Sequence, residues 1–384
     1  MPDQSSSPVR QNFVKSFVIY YIAGFAAISA VDMLTAALPV HLNLVFGNAF
    51  DVGLIYGVFP VLSVLIRFQL SEFAFRTALK KALFAGLLVM ALSQGAYMFA
   101  GDSRFLWLAL RMVFGAGICV YFIALLEVVN NEIAPESYSL YYGIFSTIFV
   151  SSMLFAPALG KSVLSRFGFN GLIFFTLVFF AISGIALCFV KDRRLTRPGF
   201  DRKNFYRFML KKHSHFGLLF MTIFTYASVV VFLPLLGVAK HFENFAFAFT
   251  FLSVSTIIVR FTSGKLFAAY PVHKFILAGI LAISAAIALF AFAPNSIVFF
   301  SAAALFGIGW AFFESNYMPS LLAGEGRKSE LISVYSLFFD LAFFVGPLLS
   351  GAVAESYGVL RLYQALPLVC LAGMLYFFRF NGKR

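Results

Sequence analysis

The sequence predicts an all-α membrane protein with twelve transmembrane helices in two pseudo-symmetric six-helix bundles. Three observations predict it. Hydrophobic residues make up 61% of the 384 positions and charged residues only 12%, against about 25% charged in a soluble domain. The apolar residues fall in runs of about 20, the length of helix that crosses a bilayer. One stretch also occurs twice, as RFQLSEFAFRTALKKALFAG at 67–86 and RFTSGKLFAAYPVHKFILAG at 260–279. At an offset of 193, Arg67-Phe68 falls on Arg260-Phe261, Lys81 on Lys274, and Ala85-Gly86 on Ala278-Gly279.

Residues 1–16 form a polar tail, predicted to be cytoplasmic, with Ser5-Ser6-Ser7-Pro8, Arg10 and Lys15. The apolar run at 17–41 is too long for the centre of a signal peptide and has no small-residue cleavage site, so it reads as the first span. Spans at 50–72, 82–100, 105–130, 139–164 and 171–190 complete an N-terminal bundle, 17–190. A basic linker, 191–213, follows. Spans at 214–238, 247–268, 275–293, 298–322, 332–354 and 362–380 make a C-terminal bundle, 214–380, and 381–384 is a short tail. Prolines 39, 60, 157, 234, 319, 347 and 367 lie inside these spans. Membrane helices tolerate them because packed neighbours satisfy the freed backbone groups. Cys119, Cys188 and Cys370 lie far apart in apolar runs and read as small packing residues, without a disulfide or metal site.

The formal net charge is +13, which by itself admits a nucleic-acid partner. The placement of the charges excludes one. With the N-terminus in the cytoplasm, most Lys and Arg fall in cytoplasmic segments, the bias that fixes topology. The linker alone holds nine: Lys191, Arg193, Arg194, Arg197, Arg202, Lys203, Arg207, Lys211 and Lys212. It reads as a topology-fixing connector with attraction to lipid headgroups as a by-product. A weakly amphipathic piece around Phe205-Tyr206-Phe208-Met209 is suited to the membrane surface. No enzymatic site appears. Gly264-Lys265 is not a phosphate-binding loop, because Val259 stands where its first glycine belongs. No cofactor and no metal are expected.

Two similar apolar halves are a signature of membrane transporters, and this chain resembles the major facilitator superfamily. That family carries a loop after its second helix similar to G-x-L-x-D-R-x-G-R-R. Here Arg76, Lys80 and Lys81 match its basic positions, while Ser71, Phe75 and Ala78 replace the first glycine, the acid and the second glycine. In the second copy Gly264 and Lys265 match and Ala268 replaces the acid. The resemblance implies a cytoplasmic gating loop at Glu72, Arg76, Lys80, Lys81 and Lys265, with Glu72 as a substitute for the lost acid. On the fourth span Arg111-Met112-Val113-Phe114-Gly115-Ala116-Gly117 is similar to the family's R-x-x-x-G-x-G helix, whose Arg is tied to proton coupling. Gly307-Ile308-Gly309 repeats the glycines without the Arg. Ala156-Pro157-Ala158-Leu159-Gly160 and Gly346-Pro347-Leu348-Leu349-Ser350-Gly351 resemble the Gly-Pro motif of exporters. Gly115, Gly117, Pro157, Gly346 and Pro347 are therefore helix-packing candidates.

Ionisable residues inside spans are functional candidates by default, because a charge in hydrocarbon is costly. Asp32 and Arg111 lie at similar depth in the first and fourth spans, which predicts a pair able to couple a proton to a substrate. Glu314 and Asp340 match in depth in the tenth and eleventh spans, with no basic side chain evident beside them, which predicts a shared proton. Glu127 lies near the inner end of the fourth span, where interfacial water solvates it. Arg67 and Arg260 are placed to snorkel towards the cytoplasm. The 53 phenylalanines hint at a cavity for amphipathic compounds.

The expected function is a proton-coupled secondary active transporter that exports a small organic or amphipathic compound across the inner (plasma) membrane by alternating access. Both termini are expected in the cytoplasm and the protein is expected to be a monomer. Its partners are a small-molecule substrate, protons and membrane lipids. Two alternatives stand: an uptake symporter or facilitator for a polar metabolite, and a non-transport receptor or complex subunit that keeps the fold.

Overall fold

The computed structural model describes residues 8–73, 79–132, 138–190, 202–262, 267, 269–322 and 328–381. Within these it leaves aside the side chains at 8–15, 67–73, 127–132, 138–143, 146, 202–203, 328–329 and 381. Its regular elements are helices: α1 (Pro8–Phe46), α2 (Ala49–Gly57), α3 (Pro60–Phe73), α4 (Leu79–Gly95), α5 (Arg104–Glu132), α6 (Tyr138–Cys188), α7 (Arg202–Lys211), α8 (His213–Ala239), α9 (Phe247–Thr262), α10 (Val272–Phe292), α11 (Ser296–Leu322), α12 (Lys328–Tyr357) and α13 (Val359–Asn381). A 3₁₀ turn, Ala96–Phe99, extends α4. Among the described residues ten stretches are long and apolar enough to cross a membrane, and α9 is shorter. This is a multi-pass membrane protein.

Three elements differ from the sequence expectation. The spans expected at 139–164 and 171–190 form one run, α6, interrupted only at Gly168, whose φ of 70° and ψ of −174° suit a residue without Cβ. The span expected at 50–72 is two helices. The break falls at Val58-Phe59, because Pro60 has no N–H to continue the ladder. The linker contains a helix of its own, α7.

Small residues set the helix spacing, as they do where lipid supplies no hydrophobic drive between helices. Ala23, Ala27, Ala30 and Ala37 of α1 are all fully buried at helical spacing. A Cβ on Gly160 of α6 would lie 1.9 Å from the Met33 carbonyl oxygen of α1. The internal repeat recurs in these contacts. A Cβ on Gly115 of α5 would meet the Phe59 carbonyl at 1.7 Å, and one on Gly307 of α11 would meet the Leu252 carbonyl at 2.2 Å. Likewise Gly117 faces the Gly86 carbonyl at 3.0 Å and Gly309 faces that of Gly279 at 2.8 Å. Corresponding residues stand 192 or 193 positions apart. Residues before the linker meet residues after it where α2 and α3 pack on α12, α6 on α9, and α1 on α8.

Candidate functional site

Two cavities lie between these two sets of helices. The larger, a vestibule of about 510 Å³, is within the range of small-molecule sites. Its walls combine aromatic rings with three charged side chains, Arg260 of α9, Glu314 of α11 and Asp340 of α12. The smaller, a chamber of about 200 Å³, is lined by Asp32 and Thr35 of α1, Tyr56 of α2 and Arg111 of α5. Phe149, Met153, Tyr226 and Phe343 line both, and so form the waist between them. Tyr226 is held there by stacking on Trp310, with ring centroids 4.0 Å apart and planes 26° apart.

Asp32 and Arg111 share the chamber, but among the described residues they form no ion pair. Arg111 is 4% exposed and is occupied elsewhere. Its Nε donates to the Ile55 carbonyl and its Nη2 to the Tyr56 carbonyl, both at 3.4 Å. Its guanidinium also lies over the rings of Tyr56 at 4.7 Å and of Phe59 and Phe114 at 5.5 Å. The cause is the break in the helix. In an unbroken helix residue 60 would donate to the carbonyl of residue 56. Pro60 cannot, and Arg111 supplies N–H groups to the carbonyls left at the end of α2. The Ser152 hydroxyl lies near the Asp32 carboxyl, outside hydrogen-bond geometry.

Glu314 and Asp340 line one vestibule, as their depths suggested, but Glu314 is paired with Arg260, which hydrogen-bonds to its Oε2. Depth along a span did not show this, because it does not say that α9 packs on α11, where Gly307 sits against Leu252 and the Thr256 hydroxyl donates to the Gly307 carbonyl at 3.0 Å. Arg260 thus turns into the cavity instead of snorkelling outward.

Of the expected gating-loop residues, Lys80 donates to the carbonyls of Cys188 and Val190 at 2.9 and 2.8 Å, at the end of α6. Lys81 is exposed. Arg76 and Lys265 lie outside the described residues, as do the side chains of Glu72 and Glu127. Pro157 lies inside α6, and Gly346 of α12 faces the Phe224 carbonyl of α8, with 2.8 Å available to a Cβ.

The contacts across the two sets that sequence reasoning missed cluster at the end of the helices opposite the linker. A Cβ on Gly53 would lie 2.2 Å from the Pro347 carbonyl oxygen, and one on Gly57 would lie 2.8 Å from that of Phe344. Glu355 Oε2 accepts from the Ala49 N–H at 2.7 Å. Lys161 donates to the Glu243 carbonyl, and Thr250 Oγ1 to the Leu154 carbonyl at 2.7 Å. Asp51, fully buried, pairs with Arg104 at 2.5 Å and caps α2 with Asn48. Small residues on two different spans were the available signal, but sequence alone does not say which pairs meet.

A multi-helix membrane protein with a charged, aromatic cavity enclosed between two sets of helices has the form of a transporter. The chain belongs to the Major Facilitator Superfamily, whose model matches residues 20–323. Solved structures with a similar fold include the nucleoside transporter NupG as its D323A mutant, at TM-score 0.79 and 10% identity over 95% of this chain and 99% of that one. The human organic anion transporter MFSD10 (TETRAN) is similar at TM-score 0.69 and 16% identity over 97% and 100%. A bacterial homologue of the human lysosomal transporter Spinster, inward-facing and unoccupied, is similar at TM-score 0.66 and 14% identity over 97% and 95%. No curated protein matches the chain in sequence.

Proposed function

We propose that this protein is a twelve-span secondary active transporter that exports a small amphipathic organic compound in exchange for protons. In this reading α2 with α3 forms one crossing, α6 forms two with its turn at Gly168, and α9 crosses despite its length. Both termini and the linker lie in the cytoplasm of a cell whose plasma (inner) membrane holds the protein as a monomer. The observation that carries the reading is the pairing of a closed end with a cavity. Helices from the two bundles touch through Gly53, Gly57 and Glu355 at the outer end. The vestibule and its charges lie towards the ends of α5, α9, α11 and α12 on the linker side. That is an inward-facing arrangement, and alternation needs the reverse closure.

Within it, Asp32, Glu314 and Asp340 are the carboxyls placed to bind protons, and the aromatic walls take the apolar body of the substrate. The Arg260–Glu314 pair is the point at which a charged substrate and a proton compete, because either one must part the two side chains. The test is proteoliposomes with an imposed pH gradient and a panel of amphipathic aromatic compounds. At least one compound should elicit proton flux by the wild type, and Asp32→Asn should abolish that flux while retaining binding. Compound movement without any proton flux would overturn the coupling.

A further inference from the structure

The linker helix α7 is the element that the transport reading leaves unused. Its apolar residues do not all face the protein. Phe205 and Phe208 are buried, whereas Tyr206 is 58% and Leu210 71% exposed. At 100° per residue, Phe205, Phe208 and Met209 share one sector, Tyr206 and Leu210 a second about 120° round, and Arg207 and Lys211 a third beyond it. Among the described residues neither Arg207 nor Lys211 has an ion-pair partner. One flank docked on protein, one apolar and bare, and one basic is the layout of a helix lying in a membrane interface. The protein flank packs on α12. At its end Lys212 Nζ donates to the Leu321 carbonyl of α11 at 2.8 Å, and His213 Nδ1 lies 3.0 Å from the Tyr376 hydroxyl of α13. The helices α11 and α12 carry Trp310, Glu314, Ser336, Phe339 and Asp340 of the vestibule wall.

We propose that α7 is a docking site for anionic lipid, and that its seating on the headgroups fixes the linker-side ends of α11 and α12. Tyr206 and Leu210 enter the acyl boundary, and Arg207 and Lys211 take the phosphates. The inference rests on the transporter reading only in making those helix ends the walls of a vestibule. At about 1 kcal/mol per basic residue near an anionic surface, removing both weakens the seating roughly thirty-fold.

The experiment places an environment-sensitive fluorophore on Leu210→Cys in a Cys188→Ser background, in vesicles whose phosphatidylcholine or phosphatidylglycerol carries brominated chains. Quenching should be far stronger with brominated phosphatidylglycerol, and should fall in high salt and in Arg207→Gln/Lys211→Gln. A second reporter, Ser336→Cys, should react with a thiol reagent at a rate that changes between the two lipids, and the double variant should abolish that change. Equal quenching by both lipids would overturn the anionic preference. No quenching by either would show that a soluble partner or water covers the face, and would overturn the docking. An unchanged rate at position 336 would overturn the link to the vestibule. Neither readout needs a transported compound, so each proposal can fail without the other.

Discussion

Replacing Gly53 by alanine should open the outer end of the molecule. A Cβ there would lie 2.2 Å from the Pro347 carbonyl oxygen and 3.0 Å from Gly351 Cα, both backbone atoms of α12. No side chain can turn aside, so α2 and α12 must separate. Overpacking of this kind costs about 1–3 kcal/mol. Alanine also favours the helix by ~1 kcal/mol over glycine, but it does so in every conformation and cancels from the comparison of states. The strain is felt only where α2 and α12 touch, so the balance should move from outer-closed towards outer-open by roughly 5- to 150-fold, at tenfold per 1.4 kcal/mol. The assay is the rate at which an impermeant maleimide, added outside, labels Thr35→Cys in the chamber, in a background without native cysteines. Gly95→Ala is the control, since its nearest neighbours would be Leu177 side-chain atoms at 3.7 Å. Gly115→Ala and Gly160→Ala clash as severely but within one bundle, so they should lower folded yield and leave the labelling rate alone. A well-folded Gly53→Ala protein labelled at the wild-type rate would refute the assignment of α2 and α12 as the closed gate.

Two further outcomes are expected. Glu314→Gln should leave Arg260 without its counter-charge in the vestibule and lower transport; Glu314→Gln with Arg260→Gln should recover folded yield but not coupling, measured by fluorescence-detected size exclusion and proton flux. Arg111→Gln should lower thermal stability in detergent by about 1–3 kcal/mol through loss of charged hydrogen bonds to Ile55 and Tyr56; adding Pro60→Ala, which restores an N–H for Tyr56, should return part of it, and no recovery would count against the cap.

The all-helical, multi-pass class was legible in the sequence because it depends on length and periodicity; the expected count of twelve spans was not, since ten stretches among the described residues are long and apolar enough to cross. Apolar runs mark the spans, and the doubled stretch at 67–86 and 260–279 marks a packing scheme that uses the same glycines twice. The charged residues were legible only as a set. Asp32, Arg111, Glu314 and Asp340 do line the two cavities, but depth along a helix says nothing about which neighbour a side chain turns to. Arg260 was expected to snorkel towards the cytoplasm, while the packing of α9 on α11 brings it to Glu314. Lys80 was picked out by a loop motif, which does not say that its ammonium meets the Cys188 and Val190 carbonyls at the end of α6. In each case the side chain meets a carbonyl or carboxylate supplied by an element distant in sequence.

The repeat ties Arg111 to the helix break at Pro60. In the first half Pro60 breaks the helix, and Arg111 serves the carbonyls of Ile55 and Tyr56. Position 60 corresponds to Ser253, position 56 to Phe249, and position 111 to Ala303. Ser253 has an N–H for the Phe249 carbonyl, and α9 runs unbroken through this region from Phe247 to Thr262. Nothing there needs a cation, and a fully buried alanine stands where the arginine would be. Proline and arginine are present together in one copy and absent together in the other, as a helix break and its cap should be. A counter-ion for Asp32 would require no such partnership with Pro60. At Glu314 the same comparison gives a different pattern. Its counterpart is Phe122, which lines the same vestibule, so the carboxylate was placed on a frame that packs without it.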